Sequence, residues 1–379
     1  MTGKKRYLRI KAVVCAVADD YEICVTTSHS SLVTLRVGGE VFTDDDNGVM
    51  RSSCPLHKFR VPSAVLDREK RYTVVNEALI KRLPYRSLKA PPVSAAFDFH
   101  PLPDAGALRI YHLSDVHGMK TPAIRAGTFF GGAPDLLILN GDIPSSTQTV
   151  KEALLPVEIA WAITKGERPC VITRGNHDLR GKYAERLSEF YPTDHGCFYY
   201  PVDLGRLRML VLDCVEDKDD SHIEYAGTVA FHPYRMRETA FLRTACIREA
   251  DLPDRNGKIR FVLSHIPFMH TDFDPKTGRH EFDIEQDIYQ EWVDLLNREY
   301  RPHFGLFGHI HVAATGDRAD AYNQKGFLSP LIIGGRPEHE KENVIGAACT
   351  IDPEKGEMTV RFTDSAHRIL DEFQVGLSD

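Results

Sequence analysis

Short stretches of residues 7–99 alternate apolar with polar side chains and are parted by turn formers. Residues 7–14, 21–27 and 31–37 follow this period of two, punctuated by Asp19-Asp20, Gly38-Gly39 and the run 44–48. Such alternation buries one face of a strand, and residues 57–61, 71–75 and 93–99 continue it. Strands at this spacing predict a small all-β sandwich. Pro91, Pro92, Pro101 and Pro103 then interrupt the chain. A boundary there divides it into an N-terminal β-sandwich domain, 1–103, and a second domain, 104–379.

Past residue 108 the pattern changes to α/β. Apolar runs of about five residues alternate with longer amphipathic stretches, as in a sheet flanked by helices. Helices are expected over 149–165, 179–190, 234–249 and 284–300. Five of the apolar runs end in chemistry-bearing residues. Residues 108–114 lead into Asp115-Val116-His117-Gly118, 136–140 into Gly141-Asp142, and 170–173 into Gly175-Asn176-His177-Asp178. Residues 261–264 lead into His265, and 304–307 into Gly308-His309-Ile310-His311. One such turn alone is equally a polar helix cap. Five can converge, because the carboxyl ends of strands in an open α/β sheet line one crevice.

Asp115, His117, Asp142, Asn176, His265, His309 and His311 offer oxygen and nitrogen donors without a thiolate, a set suited to manganese, iron or zinc. Seven side chains exceed the needs of one tetrahedral ion, so two ions with a shared ligand are expected. Asp142, with two carboxylate oxygens, is the choice for sharing. Two carboxylates against two divalent ions leave about +2, which would draw a phosphate group and acidify a bridging water to hydroxide.

Composition narrows the class. At 379 residues the chain has room for two domains. A net charge of −7 argues against a polyanion as main partner, so nucleic acid is not expected. The eight cysteines contain no Cys-x-x-Cys pair, and Cys170 and Cys214 read as buried thiols. No apolar run of about 18 residues is present to span a membrane. The basic start followed by residues 12–18 reads as a strand rather than a secretory leader, which favours the cytoplasm. His112 reads as a structural histidine and His339 as part of a solvated loop. Segments 215–232 and 267–283, with Tyr225, Phe268, His270 and Phe273, are expected to wall the substrate pocket. Within them Glu216, Asp217, Asp219 and Asp220 read as a solvated acidic run.

The ordered set Asp-x-His, Gly-Asp, Gly-Asn-His-Asp, His and Gly-His-x-His resembles the calcineurin-like metallophosphoesterases over residues 108–311. The resemblance implies a four-layer αββα fold with two central sheets, preceded here by the sandwich. It implies a dinuclear centre of divalent or mixed-valence ions. Asp115, His117 and His311 would hold one ion, Asn176, His265 and His309 the other, and Asp142 would bridge. His177, oriented by Asp178, would be the catalytic histidine. The implied reaction is hydrolysis of a small phosphorylated substrate, a mono- or diester, by the bridging hydroxide. An inactive interaction scaffold and a nuclease are the alternatives. A β-sandwich in this position is similar to that of purple acid phosphatases and, in strand pattern, to fibronectin type III modules. Ser145 stands where those phosphatases carry a tyrosine ligand, so the ferric tyrosinate is not expected. Residues 327–333, 344–351 and 358–362 read as antiparallel strands completing the second sheet, with a loosely held tail after Asp371.

Overall fold

The computed structural model describes residues 10–45, 47–267, 273–274, 279–280 and 285–377. Its frame is a ten-stranded sheet packed face to face on a six-stranded one. At the centre of the larger sheet Leu136–Asn140 pairs in parallel with Leu108–Leu113 on one side and Pro169–Thr173 on the other. All five residues of Leu136–Asn140 are buried, as expected of a strand covered on both faces. In the smaller sheet Leu207–Leu212, Ile259–Ser264, Phe304–Phe307 and Leu331–Ile333 run parallel in that order.

Alternate side chains of these strands serve two cores. Ile110, Ile138 and Val171 of the larger sheet meet Met209, Phe261 and Leu306 of the smaller between the sheets. On the outer face of the larger sheet Leu137, Leu139 and Ile172 pack under the helices Lys120–Ala126 and Leu155–Thr164. On the outer face of the smaller, Leu210, Leu212 and Val262 pack under Phe231–Ala250 and Gln286–Leu295. The result is the four-layer αββα arrangement.

The N-terminal sandwich is present, and it is built into this frame. Ser31–Val37, Glu40–Thr43, Arg71–Leu83, Arg86–Lys89 and Val93–Asp98 form one layer. The other layer, Lys11–Val17, Asp20–Thr26 and Leu56–Pro62, is an extension of the ten-stranded sheet, joined where Cys15 pairs with Cys170. Val33, Leu35 and Val74 pack against Val14, Ile23 and Phe59 in the same core that continues between the ten-stranded and six-stranded sheets. A change of pattern near residue 103 therefore does not separate two hydrophobic cores. The continuous apolar stretch of Lys11–Val17, buried at six of seven positions, is that of an internal strand.

Three other expectations are corrected. Asn343–Asp352 and Glu357–Thr363 belong to the larger sheet, where Asn343–Asp352 pairs with Leu108–Leu113. Only Leu331–Ile333 of the later strands joins the smaller sheet in the expected place, and the tail is held as the edge strand Ile369–Gly376. Residues 179–190 are not an α-helix but two 3₁₀ turns, His177–Leu179 and Ala184–Glu189, parted by Gly181 at φ +119°.

Asn140 clasps the two sheets at the upper end of the core. Its Nδ2 donates to the Ser264 carbonyl (3.0 Å) and lies 3.1 Å from His112 Nε2, while its Oδ1 accepts from Thr173 Oγ1 (2.9 Å). The Asn140 carbonyl accepts from His265 Nδ1 at 2.7 Å. Burial lowers His112 to about 3, so its neutral ring serves as the acceptor for Asn140. Asn140→Leu keeps the branched outline of the side chain but orphans these buried partners. It is expected to cost roughly 2–4 kcal/mol, read as a lowered urea midpoint; an unchanged midpoint would show that the clasp contributes nothing to stability.

Candidate metal centre

Five strand ends meet over this clasp. The turns that follow them are conformationally unusual: Asp115 (φ +54°), His117 (+45°), Asp142 (+53°), His309 (+70°) and His311 (+54°) all occupy the left-handed region. Each such residue costs roughly 1–2 kcal/mol relative to right-handed backbone, and strain of this kind gathers at functional sites. The turns hold one another in place. Asp115 N donates to the Gly141 carbonyl (3.2 Å), His117 N to the Asp142 carbonyl (3.0 Å) and Gly118 N to the Ile143 carbonyl (2.9 Å). Gly141 is obligatory, because at its φ of +76° a Cβ would lie 2.5 Å from the His265 ring.

All seven residues named from the sequence converge. Ligand atoms of Asp115, His117 and His311 lie within 4.8 Å of one another, and so do those of Asp142, His265 and His309. His117 Nε2 and His311 Nε2 are 3.0 Å apart, and His311 Nε2 is 3.5 Å from Asp115 Oδ1. Asn176 Oδ1 faces His309 Nδ1 at 3.2 Å. In this orientation the amide Nδ2 points to Glu216 Oε1 (3.3 Å) and leaves the oxygen for a cation. The reversed amide would set its NH2 3.1 Å from Asp142 Oδ2, which suits a site filled by protons instead.

The donor set fits metal ions. His265 donates through Nδ1 to the Asn140 carbonyl, so Nε2 is the ring atom that faces the site. That atom is buried without a hydrogen-bond partner, 3.4 Å from Asp142 Oδ2 and 4.0 Å from Asp115 Oδ1. Burial opposes charge on His265, but Asp142 and Asp115 overcome it and push the imidazole up to about 10. Two buried carboxylates thus demand positive charge, which either a proton or a cation can supply. Burial lowers His117 to about 4, keeping it neutral as a ligand must be.

The expected pairing of Asp178 with the His177 ring is not formed. In the tight turn His177–Leu179 successive side chains diverge by about 120°. Asp178 turns inward to accept from the backbone N–H groups of Asp142 (2.9 Å) and Gly175 (2.8 Å) and from the Tyr191 hydroxyl. It fixes the Asp142 turn instead. His177 is oriented by the Ser145 carbonyl, 3.1 Å from its Nδ1, and its Nε2 lies 3.8 Å from Asp142 Oδ2. Burial lowers the His177 imidazole, with Asp142 acting in the opposite sense.

Two acidic residues read as solvated are in fact buried supports. Asp217 Oδ2 holds His309 Nε2 at 2.7 Å, which leaves Nδ1 as the atom facing the centre. Glu216 backs Asn176 and accepts from the Tyr225 hydroxyl. Arg235, itself buried, donates to the carbonyls of Cys214 and Glu216 and fixes this turn. Their sequence signal was position alone: they follow Leu207–Leu212, a sixth strand ending on the same crevice. His339 also reaches this side, its ring centre 5.9 Å from that of His117. Phe268 and His270 lie outside the described residues. Asp44, Cys54 and His57 form another compact group in the N-terminal region, but there Asp44 is occupied by His57 Nδ1 (2.9 Å) and approached by Arg51 (3.6 Å).

A family model described as calcineurin-like phosphoesterase matches residues 108–313. Among solved structures, that of PhoD has a TM-score of 0.54 at 10% identity, covering 99% of this chain and 90% of that one. A Staphylococcus aureus protein named as a 5′-nucleotidase, solved with α-ketoglutarate, has a TM-score of 0.40 at 13% identity, covering 72% of this chain and 55% of its own. No curated protein sequence matches.

Asp217→Ala removes the carboxylate from His309 while sparing every residue that faces the centre. A ten- to hundredfold loss of metal affinity, of the order usual for such supports, is the expected result of a metal titration. Unchanged affinity would mean that His309 is oriented without Asp217.

Proposed function

This chain belongs to the calcineurin-like phosphoesterase family, and we propose that it hydrolyses phosphate mono- or diesters at a centre of two adjacent metal ions, manganese, iron or zinc. The observation that carries this reading is the pair of neighbouring ligand triplets, Asp115–His117–His311 and Asp142–His265–His309. Asp115, His117 and His311 would hold one ion, Asn176, His265 and His309 the other, and Asp142 would be shared. When bound, such ions acidify water to a nucleophile at neutral pH and neutralise the phosphoryl oxygens.

The chain's own groups account for the rest. Five strand ends fix the ligands before substrate arrives, so little reorganisation accompanies reaction. His177, not needed as a ligand, presents Nε2 to a cavity of about 440 Å³ that Asp142, Asn176, His309 and His311 also line. With Nδ1–H on the Ser145 carbonyl, the proton taken up at Nε2 is the one available to the leaving oxygen. Asp178 serves as a positioning residue for Asp142. The intact ligand set favours an enzyme over an inactive scaffold. The net charge of −7 disfavours a nuclease.

Metal content measured beside turnover of p-nitrophenyl phosphate and bis-p-nitrophenyl phosphate, with manganese, iron or zinc added in turn, tests the reading. About two ions per chain and hydrolysis of one ester are expected; no metal and no turnover under every condition would favour the scaffold. His177→Ala is expected to lower kcat about 10²- to 10⁴-fold with metal content retained. Loss of metal in that variant would make His177 a ligand. Asp142→Asn is expected to weaken both ions, and full occupancy would refute the shared carboxylate.

A further inference from the structure

Beside the centre two basic side chains share one exposed carboxylate. Arg180 lies one turn past His177, with Nη1 3.1 Å from His177 Nε2. Its Nη2 reaches Glu224 Oε2 at 3.0 Å and Glu216 Oε2 at 3.4 Å. Lys218 Nζ holds the same Glu224 carboxylate from the other side, at 3.1 and 3.3 Å. Arg180 and Lys218 both line the cavity that contains the ligand residues.

The two glutamates differ in kind. Glu216 is buried, engaged with Asn176 and Tyr225, and belongs to the fixed frame. Glu224 is exposed at the rim, and the only groups that hold its carboxylate among the hydrogen bonds described are Arg180 and Lys218. An exposed ion pair contributes little stability and exchanges readily with a competing anion. Arg180 Nε is buried with no hydrogen-bond partner among the described residues, so the guanidinium meets the cavity through Nη1 and Nη2. One carboxylate spans Arg180 and Lys218, and a phosphoryl group, with oxygens at similar separation and greater charge, suits the same bridge.

We propose that Arg180 and Lys218 form an anion subsite next to the metal centre, that Glu224 fills it when no substrate is bound, and that preferred substrates carry a second anionic group beside the scissile phosphate, as a diphosphate does. This rests on the phosphoesterase reading and adds a substrate class to it. Arg180 sits between the two positions, its Nη1 toward His177 and its Nη2 toward the subsite. Lys218 reaches only the second.

The test compares methylphosphonate with methylenediphosphonate on the metal-loaded protein, by calorimetric titration and as inhibitors of p-nitrophenyl phosphate hydrolysis. The wild-type protein is expected to bind the diphosphonate at least about tenfold more tightly. A diphosphonate can also gain affinity from the metal ions alone, so the variants decide. Lys218→Met should reduce the ratio of the two affinities about tenfold, and Glu224→Gln, which removes the competing charge, should raise it severalfold. Equal binding of the two ligands by the wild-type protein, or a ratio that survives Lys218→Met, overturns the subsite. Hydrolysis without the ratio refutes the subsite alone. A ratio without hydrolysis of any ester supports the subsite and overturns the phosphoesterase reading.

Discussion

The constraint on which the molecule depends is the junction of two sheets that pack face to face, with a backbone bridge between them at Ala18 and Val202. Hydrophobic packing between them is strong but nondirectional and would tolerate sliding. Asn140 removes that freedom. Its side chain reaches the Ser264 carbonyl across the interface, and its own carbonyl takes the proton of His265. One residue thereby sets the relative height of the strands that carry Asp142 and His265. Without this registration, a ligand set drawn from both sheets would have no defined separation.

Above that junction the organising force is electrostatic. Asp115 and Asp142 are fully buried, so each needs positive charge or donors close by. Backbone N–H groups supply part of it: His309 N lies 3.0 Å from Asp115 Oδ2, and His177 N 2.8 Å from Asp142 Oδ1. The same turns that place the histidines thus also solvate the acids. A further shell of acids, Asp178, Glu216 and Asp217, is spent on holding amides and imidazoles in the orientation a cation needs. Arg180 and Lys218 bring positive side chains to the same cavity.

The centre was readable because each of its parts is local: an apolar run, then a turn bearing one or two donor residues. Asp115, His117, Asp142, Asn176, His265, His309 and His311 all announce themselves in this way. What could not be read was anything decided by direction rather than position. Asp178 follows His177 in sequence, yet the 3₁₀ turn sends the two side chains apart. Asp217 sits in an acidic run, 216–220, and only the fold turns it inward to His309. Strand membership suffered likewise. The run at 344–351 says strand, but nothing in it says that its neighbour is Leu108–Leu113 rather than a strand of the smaller sheet. Lys11–Val17 likewise read as a strand of the sandwich, and only the structure shows it joined to Pro169–Thr173 inside the larger sheet.

That neighbour relation has a consequence for how the chain acquires its structure during synthesis. The strand leading to Asp115 and His117 lies between Leu136–Asn140, made shortly after it, and Asn343–Asp352, made about 230 residues later. Lys11–Val17 waits likewise for Pro169–Thr173. Contacts so distant in sequence form late and slowly. Until Asn343–Asp352 is made, one edge of Leu108–Leu113 is bare and the turn beyond it lacks a lasting support. A nascent chain therefore passes through a period with an open sheet edge, a state prone to association, before the crevice can take its final shape.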